Sequence, residues 1–166
     1  SKRGACFSRC GPSRRYALDP PAARRVPDHN LHLTLLFLGD QPADAVNAVL
    51  SREPPAATAF RMRLDRFGWF AGARVAWLGG PRHGAGEALV AALGRCAGAA
   101  GLRFDRRPWV PHVTLFRRVA RRPTSPDPTP LDWPVREYAL IESHPNRPYQ
   151  VLRTWSLESE VDPTRG

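Results

Sequence analysis

Apolar and polar positions alternate along much of this chain, and the alternation predicts strands before it predicts helices. Asn30 to Gly39 is almost wholly apolar, interrupted by His32 and Thr34, and has the length of a buried strand ended by Gly39-Asp40. Phe60 to Phe67 alternates Phe60, Met62 and Leu64 with Arg61, Arg63 and Asp65, as a strand with one wet face does. Arg74 to Leu78 reads as a further strand, closed by Gly79-Gly80-Pro81. Trp109 to Arg117 repeats the texture of the first apolar run, and Val135 to Glu142 and Gln150 to Leu157 supply two closing strands.

Two stretches carry helical spacing. Ala43 to Ser51 sets Ala45, Val46, Val49 and Leu50 on one face, with Pro54-Pro55 beyond its end. Glu87 to Ala100 is rich in Ala and Leu and stops near Gly98 or Gly101. Arg121 to Pro134 reads as a loop, and residues 1–30, with prolines at 12, 20, 21 and 27, as irregular. Strands and helices interleave at hairpin-like spacings, so the predicted class is α+β with largely antiparallel sheet.

One internal repeat carries chemistry. His32-Leu33-Thr34-Leu35 returns 80 residues later as His112-Val113-Thr114-Leu115. Side chains two apart on a strand share a face. Each copy therefore presents an imidazole and a hydroxyl together, while its leucines and valine anchor the other face. Two halves related by a pseudo-twofold axis would bring both pairs to one cleft. Two imidazoles can divide acid and base work near neutral pH, and two hydroxyls can hold phosphate oxygens. No carboxylate or thiolate accompanies either histidine at ligand spacing, so no metal site is expected.

Composition changes this picture only modestly. The chain has 166 residues, one domain's worth. No apolar run reaches the ~20 residues of a membrane span, and no signal segment opens it. Cys6, Cys10 and Cys96 do not make a disulfide framework and read as reduced thiols of a cytoplasmic protein. The net charge is +10, carried by 24 arginines and the single Lys2. Arg, Ala, Pro and Gly share GC-rich codons, so the charge says only that an anionic ligand is not repelled.

The segments from Asn30 to Gly39 and from Pro111 to Arg117 resemble the paired signatures of the 2H phosphoesterases. The likeness is strongest to their RNA 2',3'-cyclic phosphodiesterase, or 2'-5' RNA ligase, branch. Phe67 to Phe70 with Arg74 to Gly79, and Pro148 to Leu152 with Trp155 to Leu157, extend it over roughly Val26 to Leu157. The resemblance implies a single bilobal α+β domain over residues 1–166, each lobe an antiparallel sheet with helices outside and the active cleft between. It implies His32 and His112 as the catalytic pair and Thr34 and Thr114 as phosphate ligands. His32 would protonate the leaving 3' oxygen and His112 would activate water. The implied substrates are RNA ends or small cyclic nucleotides, handled by a monomer without cofactor or metal.

Arg117 matches a frequent arginine of the second motif, but it lies an odd number of residues from His112. A regular strand would turn it away unless a bulge intervenes. Tyr149 is the candidate for base stacking, ahead of Trp69, Phe70 and Trp109; His29, His83 and His144 read as solvated. The leader, residues 1–25, departs from the family pattern: Cys6 to Pro12 is a poor strand, and a missing central strand would unsettle one lobe. A non-catalytic RNA-end binding module is the alternative reading, and a purely structural duplication is a third.

Overall fold

The computed structural model describes residues 2–9, 23–145 and 147–159. Ten strands and two helices follow one another as β1 Lys2–Arg9, β2 Arg24–Arg25, β3 His32–Phe37, α1 Ala43–Leu50, β4 Phe60–Leu64, β5 Arg66–Phe70, β6 Val75–Gly79, α2 Gly84–Ala99, β7 His112–Arg117, β8 Leu131–Val135, β9 Glu137–Ser143 and β10 Gln150–Ser156.

The main sheet runs β10-β9-β1-β3-β7-β6-β5, with β2 also paired to β7, and every pairing in it is antiparallel. Its two halves meet through one residue pair, Leu33 opposite Val113. The fold is thus α+β and two-lobed, with a narrow seam where the two repeats touch. Leu33, Leu35, Val113 and Leu115 turn into a common core with Val46 of α1 and Leu89, Leu93 and Ala97 of α2. Burying such side chains contributes about 1.5–3 kcal/mol each, so the apolar faces of the repeats fix which faces remain for chemistry. Gly39, at φ 65°, closes β3 in a conformation that favours glycine.

The leader differs from expectation. Lys2–Arg9 is a strand, hydrogen-bonded between β3 and β9. Its pairing is broken by a register shift on each side, between Ala5 and Phe7 and between Arg3 and Cys6. Backbone ladders on both edges hold it, and an apolar alternation was the wrong thing to require of it. The central strand of that lobe is therefore present. Arg24–Arg25, in the stretch expected to be irregular, extends along β7 as a short strand.

Two smaller differences have local causes. Phe60 to Phe67 is two strands parted at Asp65, whose carboxylate is ion-paired to Arg63 and Arg66 while its N–H bonds Gly79 O. The loop expected over Arg121 to Pro134 gives way at Leu131 to β8, which pairs with β4 in a separate two-stranded sheet. Proline is tolerated in β8 because Pro134 sits on an edge, where no neighbour needs its missing N–H. No helix among the described residues is long and apolar enough to cross a membrane.

Candidate active site

The seam pair dictates the site. With Leu33 opposite Val113 in antiparallel register, one step either way sets His32 beside Thr114 and Thr34 beside His112. All four stand half-buried on the face opposite the buried Leu33, Leu35, Val113 and Leu115. A local dyad runs through the seam, and the two repeats are its two sides.

The dyad extends to detail. In both strands the burial sequence is the same, and in both it breaks alternation at the fifth residue, Leu36 and Phe116. Each break is a β-bulge. Between the pairs Ala5–Phe37 and Phe7–Thr34, β3 takes one residue more than β1; between Ala76–Phe116 and Trp77–Thr114, β7 takes one more than β6. A bulge reverses the parity beyond it. Phe37 and Arg117 therefore return to the side of the histidines, and both line the cleft. This answers the parity objection to Arg117.

Each histidine is oriented alike. Nδ1 of His32 lies 2.6 Å from Asn30 O, and Nδ1 of His112 lies 2.6 Å from Val110 O. A carbonyl only accepts, so each Nδ1 carries the proton and Nε2 is the nitrogen left for proton transfer. An aromatic edge braces each ring: Tyr149 against His32 and Phe70 against His112, both with centroids 5.0 Å apart. Trp77 adds a second wall 5.9 Å from His112. Its indole lies over Gly68, where an added Cβ would come within 2.0 Å of the ring.

Charge separates the two sides. Burial pushes the His32 imidazole down to about 4; the Arg117 guanidinium and His112 add to the depression, and the Asn30 bond opposes it. Burial also lowers His112, against the bond to Val110. Both rings are held toward the neutral form.

His32, Thr34, Thr114, Arg117 and Tyr149 line one cleft of about 760 Å³. His112 packs against Phe70 and Trp77 and is not among the lining side chains. Among the described residues no three His, Cys, Asp or Glu side chains cluster as a metal site requires. The other aromatic candidates are braces: Trp69 Nε1 donates to Val119 O at 3.0 Å, and Trp109 Nε1 donates to Thr34 O at 2.9 Å. The second bond ties the approach to one repeat onto the strand of the other.

Sequence reasoning passed over three histidines. His29 and His144 line the cleft, and His144 Nε2 lies 2.7 Å from Glu142 Oε1. His83 caps α2, its Nδ1 accepting from Gly86 N–H at 3.3 Å. The Glu142-x-His144 spacing at the end of a strand, which leaves the two side chains on one side of an extended chain, was the available signal for the pair.

Residues 12–147 match the family model described as the 2'-5' RNA ligase superfamily. The chain is 36% identical over 150 residues to an RNA 2',3'-cyclic phosphodiesterase of Thermus thermophilus, covering 81% of this chain and 76% of that protein. It is 34% identical over 149 residues to the protein of that name from Escherichia coli, covering 83% and 82%. A crystal structure of a phosphoesterase superposes with a TM-score of 0.82 at 29% identity, over 95% of this chain and 98% of that one. Escherichia coli LigT complexed with 3'-AMP superposes at 0.74 and 28% identity, over 93% and 98%.

Proposed function

This chain belongs to the 2'-5' RNA ligase superfamily, and from that premise we propose that it hydrolyses 2',3'-cyclic phosphate ends of RNA or nucleotides to 2'-phosphates by a two-histidine, metal-independent mechanism. The observation that carries the reading is the dyad: two imidazoles with the same backbone-fixed tautomer, each beside the other repeat's threonine.

In the proposed reaction, Thr34 and Thr114 donate hydroxyl hydrogen bonds to the non-bridging oxygens, and Arg117 faces the charge growing on them. His112 takes a proton from water through Nε2 as the water oxygen bonds to phosphorus. The bond from phosphorus to the 3' oxygen breaks, and protonated His32 delivers its Nε2 proton to that oxygen. One proton enters the histidine pair and one leaves, so the pair ends with its protons exchanged and resets through solvent.

His32 begins neutral, because burial and Arg117 hold its proton off. A bound phosphate monoanion opposes Arg117 and raises the ring, so substrate binding loads the acid. Ligation to a 2'-5' linkage is the reverse of the same step and would use the same groups.

The test is turnover of a nucleoside 2',3'-cyclic phosphate in excess EDTA by wild type, His32→Ala and His112→Ala, with the product isomer identified. The expected result is 2'-phosphate from wild type and a loss on the order of 10²–10⁴ in each variant. Turnover that vanishes in EDTA and returns with one divalent metal would overturn the mechanism. Tight binding of a cyclic-ended RNA without turnover would favour an RNA-end binding module instead.

A further inference from the structure

Arg24 stands directly opposite Arg117 across the β2–β7 pair. Like charges placed directly opposite on neighbouring strands destabilise the pairing. Elsewhere the chain relieves such crowding: Arg25, the next residue, is ion-paired to Asp28 at 3.1 Å. Among the described residues no carboxylate pairs with Arg24 or Arg117, and no acidic side chain lines the cleft both of them face. Two arginines set side by side on neighbouring strands, with no carboxylate paired to either among the described residues, offer a site to an anion that arrives from outside.

The cleft offers more cationic side chains than one cyclic phosphate monoanion requires. Arg24, Arg25, Arg117 and Arg147 all line it, and its volume of about 760 Å³ exceeds what the reacting phosphate fills. Arg117 faces the reacting phosphate, and Arg24 lies directly opposite it on the neighbouring strand β2, about 5 Å away from Cα to Cα. That places Arg24 beside the site of the reacting phosphate, within reach of the next anionic group of a bound nucleotide. On a nucleoside 2',3'-cyclic phosphate, that group is a phosphate on the 5' oxygen, at the other end of the same ribose.

We propose that Arg24, paired across the sheet with Arg117, binds the phosphate on the 5' oxygen of the nucleotide whose 2',3'-cyclic phosphate is opened. The inference rests on the cyclic phosphodiesterase reading above. It makes Arg24 a specificity residue that favours a 5'-phosphorylated or chain-linked end over a bare cyclic nucleoside phosphate. The 5' phosphate has two sources: a monoester on a small nucleotide, or the diester linking the preceding residue of an RNA strand.

The test compares kcat/KM on three probes: adenosine 2',3'-cyclic phosphate, the same compound with a 5'-phosphate, and a dinucleotide ending in a 2',3'-cyclic phosphate. Wild type, Arg24→Ala, Arg24→Lys and the distant exposed Arg82→Ala are measured over a range of salt. The expected preference of wild type for a probe bearing the 5' phosphate falls about tenfold in Arg24→Ala, the worth of one charge-assisted contact. Arg24→Lys restores part of it, and Arg82→Ala keeps it. The salt slope for the dinucleotide drops by about one in Arg24→Ala. A fall for both phosphorylated probes supports a site that reads the phosphate itself, and a fall for the dinucleotide alone supports the same site reading a strand. A preference unchanged in Arg24→Ala, absent in wild type, or lost equally in Arg82→Ala overturns the proposal. Wild type that turns over none of the three overturns the underlying activity instead.

Discussion

The two repeats are alike in backbone and unlike in charge. Both strands carry the same burial sequence, the same bulge and the same 2.6 Å bond from the histidine Nδ1 to a carbonyl two residues back. They part at the first residue after the bulge. On β3 it is Phe37, 48% exposed; on β7 it is Arg117. Surroundings part as well, with a tyrosine beside His32 and a phenylalanine and tryptophan beside His112. The lesson is that duplication of a strand places two equivalent groups, and a few flanking side chains then make them inequivalent. Acid–base catalysis needs that inequality, because one imidazole must give a proton while the other takes one.

The largest effect that would break the comparison comes from the histidines. Each alanine variant should lose on the order of 10²–10⁴ in kcat with its fold intact by circular dichroism. If only one histidine mattered, the dyad would be structural. Arg117→Ala comes next, with a loss of about 10² in kcat expected for one donor facing developing phosphoryl charge. Because Arg117 lowers His32, its removal should also raise the His32 titration seen by NMR. Phe37→Ala, the dyad-related change, should do neither.

Thr34→Val and Thr114→Val should each weaken phosphate binding roughly tenfold to a hundredfold, the worth of a hydrogen bond to a charged group. Similar losses in the two would sharpen the dyad, and a loss in only one would break it. Smaller still is Gly68→Ala, whose Cβ would collide with the Trp77 ring behind His112. A stability loss of about 1–3 kcal/mol by thermal melting is expected, with reduced turnover.

Acid should expose the inequality in stability too. His32 is held to about 4 in the fold against 6.5 when unfolded, so the unfolded chain binds the extra proton between those values. Stability should fall as pH drops from 6.5 toward 4, by about 3 kcal/mol from this ring at 1.36 kcal/mol per pH unit. His32→Gln should remove that component of the acid dependence.

Much of this was legible from the chain. The paired His-x-Thr segments located the face that carries both imidazoles and both hydroxyls, because period-two alternation fixes which residues share it. The two helices and the six expected strand regions survived with shifted ends, Phe60 to Phe67 as two strands. What escaped depended on partners. Lys2–Arg9 is a strand by virtue of β3 and β9 on either edge, which its own side chains do not announce. The breaks in alternation at Leu36 and Phe116 come from bulges that exist only in the register with β1 and β6, so the return of Phe37 and Arg117 to the cleft could not be read from spacing alone. His144 reads as solvated from the chain alone, but the end of β9 brings Glu142 beside it, and the indole of Trp109 is fixed by the Thr34 carbonyl of the other repeat, which spacing does not show.

The most direct test of the two-histidine account is the pH dependence of kcat/KM, measured in parallel for wild type, His32→Ala and His112→Ala. Both rings are lowered in the free protein, so the wild-type profile should be a bell with its maximum on the acid side of 6.5. Each variant, followed through its residual activity, should lose one limb of that bell and keep the other. A bell that survives intact in either variant, or a flat wild-type profile, would contradict the account.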